Sequence, residues 1–196
     1  QTVDYLSAKF PLKIQKDNLW IDAKVLPSKA LMIELASLRF GEALEKEGEV
    51  VAFRSAIFDL QKMNKIDSHA AFNTVENLWD IFSDNDREIK SDFALLTKRR
   101  KSKTLNETNT LVGDKIFIEK GAKVSCSILN AENGPIYIGK NAEVMEGSII
   151  RGPFAMCKNS VLKMGAKIYG ATTLGPYCKV GGEVNNSVSR LSKGNY

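Results

Sequence analysis

The second half of the chain repeats every six residues, and this period limits its fold more than any other feature. A helix of 3.6 residues per turn cannot keep a six-residue register, and a plain strand would alternate every two residues. We therefore predict a coil of short strands and tight corners, with three hexads in each triangular turn. The residues at every sixth position are aliphatic or Met: Ile138, Val144, Ile150, Met156, Leu162, Ile168, Leu174 and Val180.

A second series stands four positions after each large residue. Its members are small or β-branched apart from Phe154: Ala142, Ser148, Phe154, Ser160, Ala166, Thr172, Cys178 and Val184. The large residues would fill the interior, the small ones would fit near corners, and Gly, Asn and Pro would form the turns. Because the strands of successive coils would stack in parallel, the pattern predicts a parallel β-helix over residues 110–188.

An earlier set of the same kind has a different register. Its large residues are Val112, Ile118 and Val124, which are followed four positions later by Ile116, Ala122 and Ile128. The segment Asn130–Pro135 shifts the phase by two residues, so we predict an outward loop there and about four coils in all. The period ends at Asn186, where an aliphatic residue is expected. Residues 189–196 fit no coil, and since an uncapped end exposes strand edges, we expect the natural protein to continue.

The first 100 residues mix strands with helices. We predict strands at Leu19–Ile21 and Glu49–Phe53, and between them a helix capped by Ser28. Residues 79–96 contain helical stretches, and Ser83 or Asp84 could cap a helix there. No glycine-rich phosphate loop precedes the first strand, so residues 1–100 are predicted to be the later part of an α/β domain.

Charge is divided unevenly between the two halves. Residues 1–100 carry a net charge of −1 and residues 101–196 a net charge of +6. A basic second half suits a phosphorylated ligand or nucleic acid, although solvated lysines on turns explain it almost as well. Residues 97–103 are basic without interleaved aromatics, which favours a solvated hinge over nucleic-acid binding, and residues 101–109 are predicted to be a basic linker.

Histidine and cysteine counts exclude several kinds of site. His69 is the only histidine, which leaves a Ser-His-Asp triad open but excludes a multi-histidine metal site built from one chain. The three cysteines cannot all pair and show no CxxC spacing, so we expect reduced thiols in a cytoplasmic protein. No apolar run is long enough to span a bilayer, so we expect no membrane partner.

Several longer phrases resemble one enzyme family. They are DNLWIDAKVLPS (17–28), NLWDIF (77–82), GPIYIGKNAEVMEGSIIRGPFA (134–155) and KMGAKIYGATTLGPYCKVGGEVNNSV (163–188). Together they are similar to the bifunctional GlmU-type enzymes, which join a sugar-1-phosphate nucleotidyltransferase to an acyltransferase, and most of all to the branch typical of Bacteroidetes. The resemblance implies a partial α/β nucleotidyltransferase domain followed by a left-handed parallel β-helix of hexapeptide repeats.

The resemblance also implies substrates for the first domain. Such enzymes bind UTP and a sugar phosphate with Mg²⁺, and metal and basic groups offset the phosphate charge while the sugar phosphate attacks. Asp22, directly after the first predicted strand, stands near the position of a metal carboxylate in the family. A turn-forming Asp is the alternative interpretation.

For the β-helix, the resemblance implies acetyl transfer from acetyl-CoA to a hexosamine phosphate between subunits of a homotrimer. The general-base histidine of the relatives would lie beyond this chain, so we expect no acetyl transfer from these residues alone. Groups that could hold the anionic sugar are Arg151, Lys163, Lys167, Lys179, Asn185 and Asn186. An inward Asn186 could instead stack as a ladder with neighbouring coils.

Two other interpretations compete with this two-site enzyme, whose product would be a UDP-N-acetylhexosamine. In one, the enzyme performs only nucleotidyl transfer and the β-helix is a trimerisation and regulatory binding module. In the other, the β-helix is a carbonic anhydrase, which would need three histidines contributed across subunits to hold zinc. Because the one histidine lies outside the coils, the sequence argues against the second.

Overall fold

The computed structural model describes Pro11 and residues 13–190. The chain divides into two compact units, Gln1–Glu76 and Asn77–Tyr196. No helix within the described residues is both long and apolar enough to cross a membrane. Most of the tail predicted at 189–196 lies outside the described residues.

The described part of the first unit contains one helix and a four-stranded sheet. The elements are β1 (Asn18–Ile21), α1 (Lys29–Ser37), β2 (Glu42–Lys46), β3 (Glu49–Ser55) and β4 (Asn64–Asp67). The strand order is β1-β3-β2-β4, in which β2 and β4 are parallel and the other two pairs are antiparallel. The predicted cap of α1 is present, since the Ser28 hydroxyl accepts a hydrogen bond from Leu31 N–H.

Leucines on one side of α1 close the core of this unit. Leu31 and Leu35 are buried and pack with Leu44 and Val51 of the sheet. The sequence prediction missed β2, because only Ala43 and Leu44 in its sequence EALEK are buried. It also missed β4, whose four residues are all exposed.

The second unit begins with two helices, α2 (Asp80–Ser83) and α3 (Asn85–Thr97). Asp84 stands before α3 as predicted, but its side chain forms no capping hydrogen bond. Asn85 instead fixes the start of α3, because its buried amide donates to Ala171 O at 2.9 Å and accepts from Thr173 Oγ1 at 2.8 Å. These bonds hold α3 to residues of the same unit.

Within residues 13–190, fourteen short strands form a parallel β-helix of four coils and the start of a fifth. Successive strands contribute in turn to three sheets, so every third strand belongs to the same sheet. The sheets are β5-β8-β11-β14-β17, β6-β9-β12-β15-β18 and β7-β10-β13-β16, and all their strand pairs are parallel. The strands are β5 (Thr110–Val112), β6 (Ile116–Ile118), β7 (Lys123–Val124), β8 (Ile128–Asn130), β9 (Ile136–Ile138), β10 (Glu143–Val144), β11 (Ile149–Arg151), β12 (Phe154–Met156), β13 (Val161–Leu162), β14 (Lys167–Tyr169), β15 (Thr172–Leu174), β16 (Lys179–Val180), β17 (Glu183–Asn185) and β18 (Val188–Ser189).

The interior confirms the six-residue pattern from Ile138 to Cys178. Both predicted series line the core there, and even the bulky Phe154 is fully buried in a position predicted to hold a small residue. The earlier set contains two errors. Val112 pairs with Asn130, so Leu111 and not Val112 is in register with Leu129 and Ile150. Ile128 is 41% exposed, whereas its neighbour Leu129 is buried beside Ile150 of the next coil. The predicted loop at 130–135 exposes only Glu132 and Asn133.

The last coil is shorter than the sequence pattern implies. Val184 pairs with Ile168, sixteen residues earlier, whereas Ile168 pairs with Ile150, eighteen residues earlier. Val184 therefore occupies the large-residue position, two residues before the predicted one. The expectation that Asn186 fills that position, or forms an inward ladder, is wrong: Asn186 has φ 44° at a corner.

The basic segment 97–103 packs on the first coil instead of forming a solvated hinge. Arg100 donates to both oxygens of Glu119 at 2.7 Å, and Lys103 N–H donates to Ile118 O at 2.8 Å. The Lys103 ammonium also donates to Ala122 O at 2.7 Å. These contacts are set by the chain's return past the first coil, which no local sequence pattern reveals.

Candidate functional site

An open cleft of about 380 Å³ lies in the first unit, beside the end of β1. Charged residues of both signs line it, together with a few apolar ones: Asp22, Lys24, Val25, Lys46, Glu47, Glu49, Val50, Val51, Phe72, Thr74 and Glu76. Asp22, the predicted metal residue, is therefore in a cleft. The arrangement offers both carboxylates and ammonium groups to a ligand.

Asp22 is fixed by the turn that follows β1. Its N–H donates to Val51 O at 2.9 Å, and its Oδ1 accepts from Lys24 N–H at 3.0 Å. The second bond spans two residues and is typical of an Asp-initiated turn. Asp22 therefore begins a turn, which was the alternative interpretation of this residue, and it also lines the cleft.

The two lysines of the cleft are held in place. The Lys24 ammonium lies 2.9 Å from Glu76 Oε2, and this hydrogen bond raises the pKa of Lys24. Lys46 Nζ lies 4.3 Å from the centre of the Phe72 ring and donates to Ala70 O at 2.8 Å. Lys46 is thereby directed along one wall of the cleft.

A magnesium ion fits this cleft only in part. Among the described residues, no group of three or more His, Cys, Asp or Glu side chains could hold a metal ion. Mg²⁺, however, commonly uses one or two carboxylates and takes its remaining ligands from water and substrate phosphates. Asp22 could supply one such carboxylate, with the phosphates of a bound nucleotide completing the set.

His69 does not form the triad that the sequence left open. Glu34 Oε2 accepts from the Ser68 hydroxyl at 2.6 Å, and Glu34 Oε1 accepts from His69 N–H at 3.0 Å. The serine hydroxyl is therefore bonded to a carboxylate, and the contact of His69 with Glu34 is through its main chain.

A second cleft, of about 390 Å³, lies on the β-helix unit. Two of the predicted sugar-binding residues, Arg151 and Asn186, line it. Asn186 Oδ1 accepts from Ala171 N–H at 3.0 Å, which orients its side chain at the corner. The sequence did not single out the other polar residues of this cleft, Asp86, Asn133 and Tyr169.

The other predicted sugar-binding residues do not line this cleft. Lys163, Lys167 and Lys179 are exposed on outward positions of the coils, and Asn185 is exposed beside Tyr169. Lys167 lies opposite Glu183 in the neighbouring strand, and Lys179 opposite Val161. The structure thus brings together two of the six predicted residues.

The sequence did not predict a hydrogen-bonded network of Tyr137, Glu119 and Arg100 beside the first coil. The Tyr137 hydroxyl donates to Glu119 Oε1 at 2.6 Å, and Tyr137 stacks on Phe117 with ring centres 6.0 Å apart. Burial, and then the bond to Glu119, raises the pKa of Tyr137 to about 12. Burial alone would raise the pKa of Glu119, but hydrogen bonds from Tyr137 and Arg100 lower it.

The comparisons with known proteins bear on the first half of the chain. A family model described as sugar nucleotidyl transferase matches residues 1–101, just over half of the 196 residues. None of the curated proteins searched matches the chain. The matched range includes the cleft that holds Asp22 and ends before β5, so the match does not extend to the β-helix.

Proposed function

The chain belongs to the sugar nucleotidyl transferase family, and we propose that it serves to transfer a uridylyl group from UTP to a hexosamine 1-phosphate. The family match supports nucleotidyl transfer to a sugar phosphate. UTP and the hexosamine are our proposal and rest on the resemblance of the longer sequence phrases. The cleft beside β1 is the candidate site for this reaction in the described part of the first unit.

Nucleotidyl transfer makes a simple demand on the protein. The sugar phosphate attacks the α-phosphate, pyrophosphate leaves, and the protein must position both and offset their negative charge. A bound Mg²⁺ would neutralise phosphate charge. We propose that Asp22 supplies a carboxylate ligand to it and that Lys46, directed by Phe72 and Ala70 O, faces the phosphates.

Replacement of Asp22 tests this assignment. In the purified full-length protein, D22N should lower kcat/KM for pyrophosphate release by about 10²-fold or more, a loss typical of removing one electrostatic contact to a transition state. The matched control is D67N, because Asp67 is an exposed carboxylate of β4 outside the cleft. Equal activities of the two variants would reject Asp22 as a metal ligand.

For the β-helix we propose acetyl transfer from acetyl-CoA to a hexosamine phosphate in a homotrimer. Arg151 would bind the sugar phosphate in the second cleft and Asn186 would bind a sugar hydroxyl, since both line it. The same role stays a prediction for four further residues, Lys163, Lys167, Lys179 and Asn185.

Replacement of Arg151 tests the role of the second cleft. R151Q should raise KM for the hexosamine phosphate at least tenfold, and K115Q, which changes an exposed lysine outside the cleft, should not.

In the alternative, the β-helix only assembles or regulates the enzyme. Residues 77–196 contain no histidine, so a histidine general base for acetyl transfer would have to come from other residues, and this count does not separate the two proposals. Titration with acetyl-CoA separates the two proposals. Measurable binding below millimolar concentration rejects the alternative, and its absence from protein with active nucleotidyl transfer rejects acetyl transfer.

A further inference from the structure

Three exposed lysines stack at one corner of the β-helix. This corner joins the sheet of β6, β9, β12, β15 and β18 to the sheet of β7, β10, β13 and β16. In the first three coils it carries a lysine at the same place: Lys120, Lys140 and Lys158. We call these three residues the lysine corner.

Strand registers on both sides align the three lysines. Each stands two residues after one of the paired residues Ile118, Ile138 and Met156. Main-chain bonds connect successive turns, since Asn159 N–H donates to Lys140 O at 3.0 Å and Tyr177 N–H to Lys158 O at 3.1 Å. Parallel strands repeat at about 4.8 Å, so the main chain of the first and third lysines is separated by about 10 Å.

Nearby carboxylates offset only part of this charge. All three lysines are exposed, and none forms an ion pair with any of the described residues. Glu119, directly before Lys120, is bound by Arg100 and Tyr137, and the charge of Lys140 also helps to lower the pKa of Glu119. Glu143 lies on the adjacent sheet, opposite Lys123.

A fourth ammonium group adds to the row at its first coil. Lys103 Nζ donates to Ala122 O, at the end of the same turn that contains Lys120. Like charges stacked at one corner repel one another, and an anion that bridges them relieves that repulsion. A single phosphate could reach only part of the row, whereas a chain of phosphates could contact each ammonium in turn.

We propose that the lysine corner is a binding site for a linear chain of three or more phosphates. Such a chain could come from a nucleoside triphosphate or from free inorganic polyphosphate, and the ammonium groups would bind the phosphates of either. This site is separate from the cleft of Asp22, because no lysine of the corner lines that cleft. The proposal does not depend on nucleotidyl transfer.

Direct binding of tripolyphosphate to the full chain tests the site. The triple variant K120A/K140A/K158A should bind tripolyphosphate at least tenfold more weakly than the wild type, and added salt should weaken wild-type binding because exposed charges are screened. The charge-matched control K29A/K62A/K115A removes three exposed lysines elsewhere and should stay within twofold of wild type. Equal losses in both triple variants would overturn the proposal.

Chemical footprinting supplies a residue-level test on the wild type, in case the triple variant folds poorly. Tripolyphosphate should protect Lys120, Lys140 and Lys158 from acylation, while Lys29, Lys62 and Lys115 keep their reactivity. ATP protection equal to that of tripolyphosphate would support recognition of the phosphate chain itself, and stronger ATP protection would support the nucleotide as its source. Lack of protection by either, or equal protection by orthophosphate, would contradict a site for phosphate chains.

Discussion

The hydroxyl of Thr172 gives a sharp test of how the β-helix interior is built. Thr172 is fully buried, and its Oγ1 has no hydrogen-bond partner among the described residues. A buried hydroxyl without a partner costs roughly 1–3 kcal/mol, and valine has the same branched shape without that group. We therefore expect T172V to raise the free energy of unfolding by about 1–2 kcal/mol.

Ser160 is the matched comparison, because it is equally buried but its hydroxyl donates to Gly175 O at 2.7 Å. S160A should lower the free energy of unfolding by about 1 kcal/mol, the typical net value of one hydrogen bond. Urea unfolding followed by circular dichroism measures both changes. With a slope of about 2 kcal/mol per molar urea, T172V should move the midpoint up by about 0.5–1 M. A lower midpoint for T172V, at unchanged slope, would refute the reasoning.

Three further predictions concern contacts within the second unit. N85A should lower the free energy of unfolding by about 2 kcal/mol and speed proteolysis of residues 85–97, because Ala171 O and Thr173 Oγ1 lose their hydrogen-bond partner. An unchanged rate of cleavage would show that other contacts hold α3. G152A should lower the free energy of unfolding by about 3 kcal/mol or more in a thermal-unfolding assay, since a Cβ there meets the Gly134 carbonyl. G165A has nothing near its Cβ and should lose only the stability that corresponds to the strain of its φ of 68°. Similar losses of stability in the two variants would contradict this. The pKa of Tyr137 in the folded protein, about 12, lies above the usual value near 10. Its neutral form therefore stabilises the fold below pH 10, and that contribution is lost as the pH rises towards 12. An ultraviolet titration that shows all tyrosines ionised by about pH 10.5 would disprove the raised pKa.

Much of the β-helix could be predicted because every hexad meets nearly the same surroundings. Residues such as Ile150 and Leu162 fill equivalent interior positions, so period alone identifies them. The prediction fails where the coil length changes. Val184 moves to the large-residue position because the last coil is two residues shorter, and a fixed step of six leads to Asn186 instead.

The candidate site depends on contacts that sequence patterns do not contain. The chemistry of Arg151 singles it out as a candidate anion ligand, but Asn133 and Asp86, which line the same cleft, come from distant parts of the chain. The pair of Arg100 and Glu119 likewise depends on the path of the chain past the first coil. In the first unit, β2 has few buried residues and therefore lacks the alternation that would identify a strand.

Nucleotidyl transfer to a sugar phosphate releases pyrophosphate, so an assay of pyrophosphate tests the proposed function of this chain. The full-length protein would be incubated with UTP, Mg²⁺ and hexosamine 1-phosphates, and pyrophosphate would be measured as the sugar nucleotide forms. We predict release that requires both the sugar phosphate and Mg²⁺ and that falls by about 10²-fold or more in D22N. Folded wild-type protein that releases no pyrophosphate with any nucleoside triphosphate and sugar 1-phosphate would contradict the account.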